Sequence, residues 1–294
     1  MILNSNKLWF SLRKDSLEES LLILHHINGE ISMRWFFVPF VLSLGLLTNN
    51  IKAAVQEKAI EYSFEGTKLK GVLYYDDASK AKRPGILVVH EFWGLNDHAR
   101  ERAKKLAEMG YVAFACDMYG EGKSTEHPQE AGQMAGEVRK NIKIWQGRAI
   151  AGFKELKKCE YVDSAKTAVI GFCFGGSTAL ELAYSGADLG AVVTFHGALP
   201  VPTPEQAKAI KAKILICHGA SDVFIPEDSI QKFRKVLEDA KVDYQMIYYS
   251  NTTHSFTVPG VEKKMSMLRY NADSDRRSWQ QMKALFDEVF TGKK

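Results

Sequence analysis

The feature that most constrains the fold of this chain is an alternation, from about residue 57, between short apolar runs and stretches with helical periodicity. The runs are GILVVHEFWG, YVAFACDMYG, TAVIGFCFGG, AVVTFHG, KILICHG and VDYQMIYYS. Short continuous apolar runs are typical of strands that are buried on both faces. Because parallel strands need a crossover connection, usually a helix, the alternation predicts an α/β fold with a mainly parallel central sheet flanked by helices on both faces.

Further patterns add detail to this fold. The segment IEYSFEGTKLKGVLYYDD alternates around Gly66-Thr67, which predicts a β-hairpin. Residues 120–133 are rich in Gly, Glu, Ser and His and predict a surface loop. Helical spacing of apolar residues predicts helices over 97–109, 134–158, 204–210, 227–240 and 273–290, and over STALELAYS after the GFCFGG turn.

The first 54 residues differ from the rest of the chain. Met33 and Arg34 precede an apolar run from Trp35 to Leu47, and polar residues and small alanines follow it. A positive start, an apolar stretch of about 7–15 residues and small residues near a cleavage point are the layout of a secretory signal peptide. The run is also shorter than the roughly 20 residues that span a membrane.

The sequence therefore predicts an N-terminal extension over 1–54, with a signal peptide at 33–54, followed by one domain over 55–294. On this interpretation translation begins at Met33, and the alternative is a genuine amphipathic helix over 1–32. A working signal predicts a periplasmic or secreted protein, and without it the protein is expected in the cytoplasm. We expect no stable membrane insertion of the mature domain.

Charge and cysteine content exclude several classes of protein. There are 39 basic and 35 acidic side chains, the net charge is +4, and no basic run resembles a nucleic-acid-binding tail. The four cysteines form no Cys-x-x-Cys pair and no Cys/His cluster with zinc spacing. We expect a small-molecule substrate, no cofactor, no metal and no nucleic acid, and a monomer or small homo-oligomer.

The motif that carries chemistry is Gly171-Phe172-Cys173-Phe174-Gly175, placed where a predicted strand runs into a predicted helix. This is the nucleophile-elbow pattern with cysteine in the serine position. The sharp turn forces strain on its central residue, and small flanking residues prevent collisions. The turn also places the nucleophile at a helix N-terminus, where the positive end of the dipole favours a thiolate and a developing oxyanion.

A nucleophile, an acid and a histidine follow in this chain order in α/β-hydrolases. Asp222 comes just after the predicted strand KILIC, and His254 comes just after the predicted strand VDYQMIYYS. The sequence therefore predicts the triad Cys173, Asp222 and His254. The order excludes His196 and His218, which precede the acid and are expected to bind loop backbones near the site.

The segment His90-Glu91-Phe92-Trp93-Gly94 ends an early predicted strand. In this fold the loop after that strand supplies one oxyanion-binding N–H, and the residue after the nucleophile supplies the other. The backbone N–H groups of Phe92 and Phe174 are thus predicted to form the oxyanion hole. Glu91 would lie beside the nucleophile, since a carboxylate ending a buried strand is costly unless it is paired or functional. A structural ion pair is the alternative for Glu91.

The segments HEFWGLN, GFCFGG, HG-x-x-D and HSF together resemble the dienelactone hydrolase (carboxymethylenebutenolidase-like) family over roughly residues 58–292. The resemblance implies an α/β-hydrolase fold and hydrolysis of a cyclic or simple enol ester through an acyl-cysteine intermediate. It implies Cys173 as nucleophile, with Asp222 and His254 as its partners. It also implies that Glu91 contacts the resting thiol and takes part in its activation.

One position departs from the family pattern. Family members use arginines to hold the substrate carboxylate, and one of them follows the catalytic histidine by four residues, where this chain has Val258. No convincing match to the other arginine is found upstream of the elbow. A less anionic ester or lactone is therefore as plausible a substrate. A broader carboxylesterase or thioesterase, and a thiol-based redox or binding protein, stay open as alternatives.

Overall fold

The computed structural model describes residues 55–292. The signal peptide and start site predicted within 1–54 lie outside these residues. The strands in the described part are β1 (Val55–Phe64), β2 (Thr67–Asp76), β3 (Arg83–Val89), β4 (Val112–Cys116), β5 (Val162–Phe172), β6 (Ala191–Phe195), β7 (Lys213–Gly219) and β8 (Tyr244–Tyr249). The α-helices of the same part are α1 (Asp97–Glu108), α2 (Pro128–Arg139), α3 (Ile142–Lys158), α4 (Phe174–Tyr184), α5 (Pro204–Ala209), α6 (Glu227–Asp239) and α7 (Ala272–Thr291).

The strands form one sheet in the order β1-β2-β4-β3-β5-β6-β7-β8. The predicted hairpin is present: β1 and β2 pair antiparallel, and the turn between them places Glu65 and Gly66 at positive φ. β2 also pairs antiparallel with β4, whereas the six strands from β4 to β8 in this order are parallel to one another. The mainly parallel sheet predicted from the sequence is therefore confirmed.

Helices cover both faces of the sheet, as the continuous apolar strands require. Leu87 and Val89 of β3 pack in the core shared with α2, α3, α4 and α6. Ile86 and Val88, which point the other way, pack in the core shared with α1 and α7. Among the helices of residues 55–292, none is long and apolar enough to cross a membrane.

The helix predicted over 134–158 is two helices, and the loop predicted over 120–133 ends early, because α2 already begins at Pro128. The break follows Lys140. Asn141 is extended, and its side chain accepts hydrogen bonds from the N–H groups of Lys143 and Ile144, which caps α3. Asparagine competes for the backbone in this way because its short side chain reaches the free N–H groups of the next turn.

The loop after β4 is held by a buried carboxylate. Asp117 is fully buried and accepts four backbone hydrogen bonds. The donors and distances are Lys70 N at 3.0 Å, Tyr119 N at 2.8 Å, Gly120 N at 2.9 Å and Gly122 N at 2.8 Å. Hydrogen bonds to an ionised acceptor are stronger than neutral ones. The Asp117 side chain thereby joins the loop after β4 to strand β2 of the hairpin.

We expect Asp117→Ala to lower the free energy of unfolding by about 3–5 kcal/mol, because several buried N–H groups lose their acceptor at once. Urea denaturation followed by circular dichroism measures the change. The control is Asp163→Ala, since Asp163 is only partly buried and accepts a single exposed bond from Ala165 N. We expect the control to cost less than about 1 kcal/mol. Equal midpoints for the two variants would contradict this role of Asp117.

Candidate active site

Cys173 occupies the sharp turn between β5 and α4. Its backbone has φ 52° and ψ −112°, a conformation that is strained for a residue with a side chain. The Cys173 N–H donates to Phe195 O at 3.0 Å, which ties the turn to β6. The residue caps the N-terminus of α4, so the positive end of the helix dipole lies at its sulfur.

The glycines of the elbow are required by close backbone approaches. A Cβ on Gly171 would lie 1.9 Å from Gly175 O, and a Cβ on Gly175 would lie 2.2 Å from Val89 O. Neither contact can relax by moving a side chain, because both involve backbone oxygens. The glycine spacing read from the sequence is therefore a packing requirement of a tight strand–turn–helix unit beside β3.

The structure brings Cys173, His254 and Asp222 together at the carboxyl edge of the sheet. The His254 Nδ1 lies 2.7 Å from Asp222 Oδ2, and the Cys173 side chain lies near enough to the His254 ring to raise its pKa. The other carboxylate oxygen of Asp222 accepts from Phe224 N at 2.9 Å, which fixes the acid in its loop. Sulfur, imidazole and carboxylate thus form the row that chain order predicts.

The charges in this row favour a protonated imidazole. Burial alone lowers the pKa of His254, but the Cys173 sulfur and the Asp222 carboxylate outweigh it and raise the pKa to about 10. The imidazole therefore carries its proton at neutral pH when it lies against a thiolate. Such a pair has the charges expected of an activated nucleophile beside a proton donor.

Glu91, which the resemblance places against the resting thiol, is hydrogen-bonded to Ser255 in the structure. Its Oε1 accepts from Ser255 Oγ at 2.9 Å, and its Oε2 has no hydrogen-bond partner among the described residues. Ser255 follows His254 and has φ 55°, so a strained residue carries this bond. Burial raises the pKa of Glu91, which favours the neutral carboxyl. The carboxyl thus binds the loop that carries His254.

His196 lies close to both Glu91 and His254. The ring is fully buried, its Nε2 lies 2.8 Å from Thr257 Oγ1, and its Nδ1 lies 3.9 Å from Glu91 Oε1. Burial and the neighbouring His254 lower the pKa of His196 well below its ordinary value. A neutral His196 therefore packs beside His254, with ring centroids 5.3 Å apart. It binds a side chain of the histidine loop, whereas the sequence predicted a backbone partner.

The segment that begins at His90 leads from β3 into the site. Gly94 N donates to Glu91 O at 3.2 Å, and a Cβ on Gly94 would lie 2.2 Å from Lys123 O. Phe92 lines the same cavity as Cys173, and Phe174 is fully buried directly after the nucleophile. The two residues predicted to supply oxyanion N–H groups thus flank the sulfur along the chain and across the cavity.

A cavity of about 240 Å³ opens above the sulfur, and most of its walls are apolar. Its lining residues are Phe92, Arg139, Cys173, Ala198, Phe224, Ile225, His254, Met265 and Leu268. Residues 55–292 contain no group of three or more His, Cys, Asp or Glu side chains that could hold a metal ion. Small size and apolar walls suit the body of a compact organic substrate.

Arg139 is a site residue that sequence reasoning missed. It ends α2, and its guanidinium lies 5.2 Å from the ring centre of Phe174 and 5.8 Å from that of Trp145. These rings hold the guanidinium at the cavity wall, where it can meet an anion. Its position upstream of the elbow could have identified it, but it lies in the stretch that was predicted to be one long helix.

Two predictions about flanking residues are corrected or refined. His98 was expected to be solvated, but only 9% of it is exposed, and its Nε2 lies 3.2 Å from Thr257 O. Arg102, one turn further along α1, donates to Thr257 O at 2.6 Å and to Asp275 Oδ2 at 2.9 Å. Val258 packs against an apolar cluster around Trp93, which explains how an apolar residue is accommodated there.

Comparisons with known proteins identify relatives of this chain. The profile of the dienelactone hydrolase family matches residues 69–290. Protein usf of Aquifex pyrophilus is 32% identical over 240 residues, which cover 79% of this chain and 98% of that protein.

Two solved structures are also similar over the described domain. One, named m3DLH, is 40% identical with a TM-score of 0.78, covering 81% of this chain and 99% of the other. The second is the dienelactone hydrolase-like promiscuous phosphotriesterase P91 from metagenomic libraries, 37% identical with a TM-score of 0.78 and coverage of 80% and 99%. The family profile and these similarities show that the chain belongs to the dienelactone hydrolase family of α/β-hydrolases, whose members hydrolyse ester bonds.

Proposed function

We propose that this hydrolase cleaves a compact ester or lactone, dienelactone-like in size, through an acyl-cysteine intermediate on Cys173. The observation that carries the proposal is the row formed by the Cys173 sulfur, the His254 imidazole and the Asp222 carboxylate at the elbow. A structural cysteine or a redox-sensing thiol would need neither the ordered imidazole nor its carboxylate partner. The same row therefore argues against a binding or redox protein.

In the acylation half-reaction, the Cys173 thiolate attacks the ester carbonyl carbon and the carbonyl electron pair moves onto oxygen. The N–H groups of Phe92 and Phe174 stabilise that oxyanion. When the pair returns, the carbon–oxygen bond to the leaving group breaks and the alkoxide takes the proton of His254. The products are a free alcohol and a thioester on Cys173; for a lactone, the alcohol stays attached to the acyl group.

In the deacylation half-reaction, neutral His254 removes a proton from water as the water attacks the thioester carbonyl. The second oxyanion collapses, the carbon–sulfur bond breaks, and the acid product leaves. The thiolate and the protonated imidazole are restored together, so the cycle needs no outside proton source. The Asp222 side chain orients the His254 ring throughout.

The direct test is to trap the intermediate. The enzyme is mixed with a slowly hydrolysed ester, quenched in acid, and its intact mass measured, followed by peptide mapping. We expect one acyl group on the peptide that contains Cys173, formed and lost at rates that match turnover. Turnover without acylation of Cys173 would contradict the mechanism and favour direct attack of water.

The residues that line the cavity also indicate the shape and charge of the substrate. Its apolar walls, including Phe224, Ile225 and Leu268, suit a hydrocarbon body, and Arg139 offers a charge-assisted contact at one side. We therefore propose an ester that carries a carboxylate or another anionic group. A panel of anionic esters, neutral esters and thioesters distinguishes this enzyme from a general carboxylesterase or thioesterase.

We expect Arg139→Met to raise KM for an ester with a free carboxylate by about 10- to 100-fold, since a charged hydrogen bond worth about 1.5–3 kcal/mol is lost. KM for the neutral analogue should change by less than about threefold. Steady-state kinetics on the matched pair of esters measures both effects. The control is Lys140→Met, because Lys140 is exposed and binds Glu137. Equal losses on the two esters in Arg139→Met would contradict the anion-binding role.

A phosphotriester is a second substrate class to test. It is favoured by the 37% identity to a protein described as a promiscuous phosphotriesterase. Attack of the Cys173 thiolate on phosphorus would also develop negative charge on an oxygen near the same N–H groups. We expect any such activity to be lost in the same variants that lose ester hydrolysis.

A further inference from the structure

Tyr119 links the two residues to which oxyanion-binding N–H groups are assigned. Its hydroxyl donates to Phe92 O at 3.0 Å, and its ring packs against the Phe174 ring with centroids 5.5 Å apart. The Tyr119 backbone N–H is itself held by Asp117 Oδ1 at 2.8 Å. Only 8% of the tyrosine is exposed, so the whole side chain is packed behind the oxyanion loop.

His90 holds the other side of the same loop. Met118 N donates to His90 Nε2 at 3.2 Å, so Nε2 is an acceptor and the proton of the neutral ring is on Nδ1. Nδ1 then donates to Glu91 O, 2.6 Å away. Burial lowers the pKa of His90, which preserves the neutral ring. The rings of His90 and Tyr119 are in edge contact, with centroids 4.8 Å apart.

The two acceptors belong to the peptide groups on either side of Phe92. The carbonyl of Glu91 is coplanar with the N–H of Phe92, and the carbonyl of Phe92 is coplanar with the N–H of Trp93, because each peptide bond is planar. Because both carbonyls are held, the two peptide groups resist rotation, and the direction of the Phe92 N–H is restricted with them. The position of that N–H is thereby set before a substrate binds.

We propose that Tyr119 is a positioning residue which, together with His90, aims the Phe92 N–H at the oxyanion of the reacting ester. The inference rests on the acyl-cysteine mechanism proposed above. The Tyr119 hydroxyl is engaged by Phe92 O, so its proposed effect is transmitted through the loop. Burial, with the negative charge of Cys173, raises the pKa of Tyr119, so the hydroxyl remains a donor throughout the working pH range.

The test is Tyr119→Phe, which removes one oxygen and keeps the ring. We expect kcat for p-nitrophenyl acetate to fall about 10-fold, less than the roughly 10²–10³-fold typical of deleting an oxyanion donor, because the N–H is misplaced and not removed. KM should change by less than about twofold, since the ground-state ester gains little from this N–H. A trifluoromethyl ketone, which adds to the thiolate and forms an oxyanion, should bind weaker by the same factor as kcat/KM.

The rate of alkylation by iodoacetamide distinguishes a misplaced N–H from a general disturbance of the site, because only the general disturbance would change it. It consumes the Cys173 thiolate but forms no oxyanion, so its rate should be unchanged in Tyr119→Phe. The matched control is Tyr184→Phe at the far end of α4, where the hydroxyl donates to Pro200 O at 2.8 Å and 3% of the residue is exposed. Both variants lose one buried hydrogen bond and should show similar falls in melting temperature, but Tyr184→Phe should retain the kcat of the unmodified enzyme.

Two results would overturn the proposal. One is a Tyr119→Phe enzyme with unchanged kcat and unchanged ketone inhibition. The other is an equal fall in the rates of alkylation and of ester turnover, which would show that the thiolate is disturbed and not that the N–H is misplaced. Neither result would contradict the assignment of Cys173 as the nucleophile, which is contradicted only if Cys173 is not acylated.

Discussion

Cys173→Ala should abolish ester hydrolysis, with kcat/KM falling by about 10⁴-fold or more, as expected when a nucleophile is removed from a site of this kind. The row of side chains offers no substitute: Asp222 is held by His254 and Phe224 N, and Glu91 is held by Ser255. The residual rate would come from oxyanion stabilisation and substrate binding alone. Hydrolysis of p-nitrophenyl acetate and of an anionic ester measures the loss.

The control for this prediction is Cys159→Ala. Cys159 is a half-buried free cysteine that follows α3 and does not line the catalytic cavity, so its variant should keep the activity of the unmodified enzyme. Melting curves of both variants check the fold, and Cys173→Ala should melt near the unmodified protein, because the sulfur faces the cavity and removing it leaves the core intact. More than about one hundredth of the original activity in Cys173→Ala would disprove the assignment.

Asp222→Asn should lower kcat by about 100- to 1,000-fold and should lower the pKa of His254 from its value of about 10. The carboxylate holds the ring in the correct orientation and stabilises its positive charge. A neutral amide stabilises that positive charge much less. The sign is that of a raised histidine pKa: the charged form is favoured below about pH 10 and is lost as pH rises through it. Nitrogen NMR of labelled imidazole side chains measures this titration.

The matched control is Asp228→Asn, an exposed acid in the first turn of α6. It should leave both kcat and the titration of His254 unchanged. In Asp222→Asn the amide oxygen can still accept from Phe224 N, so the loop should keep its shape and the loss should be electrostatic. If the His254 titration stayed near pH 10 in Asp222→Asn, the carboxylate would not be the partner that raises it.

Local patterns were sufficient for the architecture and for the chain order of the triad. Short apolar strands alternating with amphipathic helices allow few arrangements other than a parallel sheet covered on both faces. The elbow is encoded within five residues, because close backbone contacts beside Cys173 leave no room for a Cβ at its glycines. Where a local pattern was misread, as at Asn141 between α2 and α3, the error lay in overlooking one capping side chain.

The residues that surround the Cys173 sulfur could not be predicted from local sequence patterns. Ser255 meets Glu91 across 164 positions of the chain, and Arg102 meets Thr257 across 155, so no spacing rule connects them. Arg139 reaches the cavity only because α2 ends beside Phe174. Periodicity and motif spacing act between neighbours along the chain, whereas these contacts arise where separate strand ends and helices are packed against one another, and packing alone brings such residues within hydrogen-bonding range.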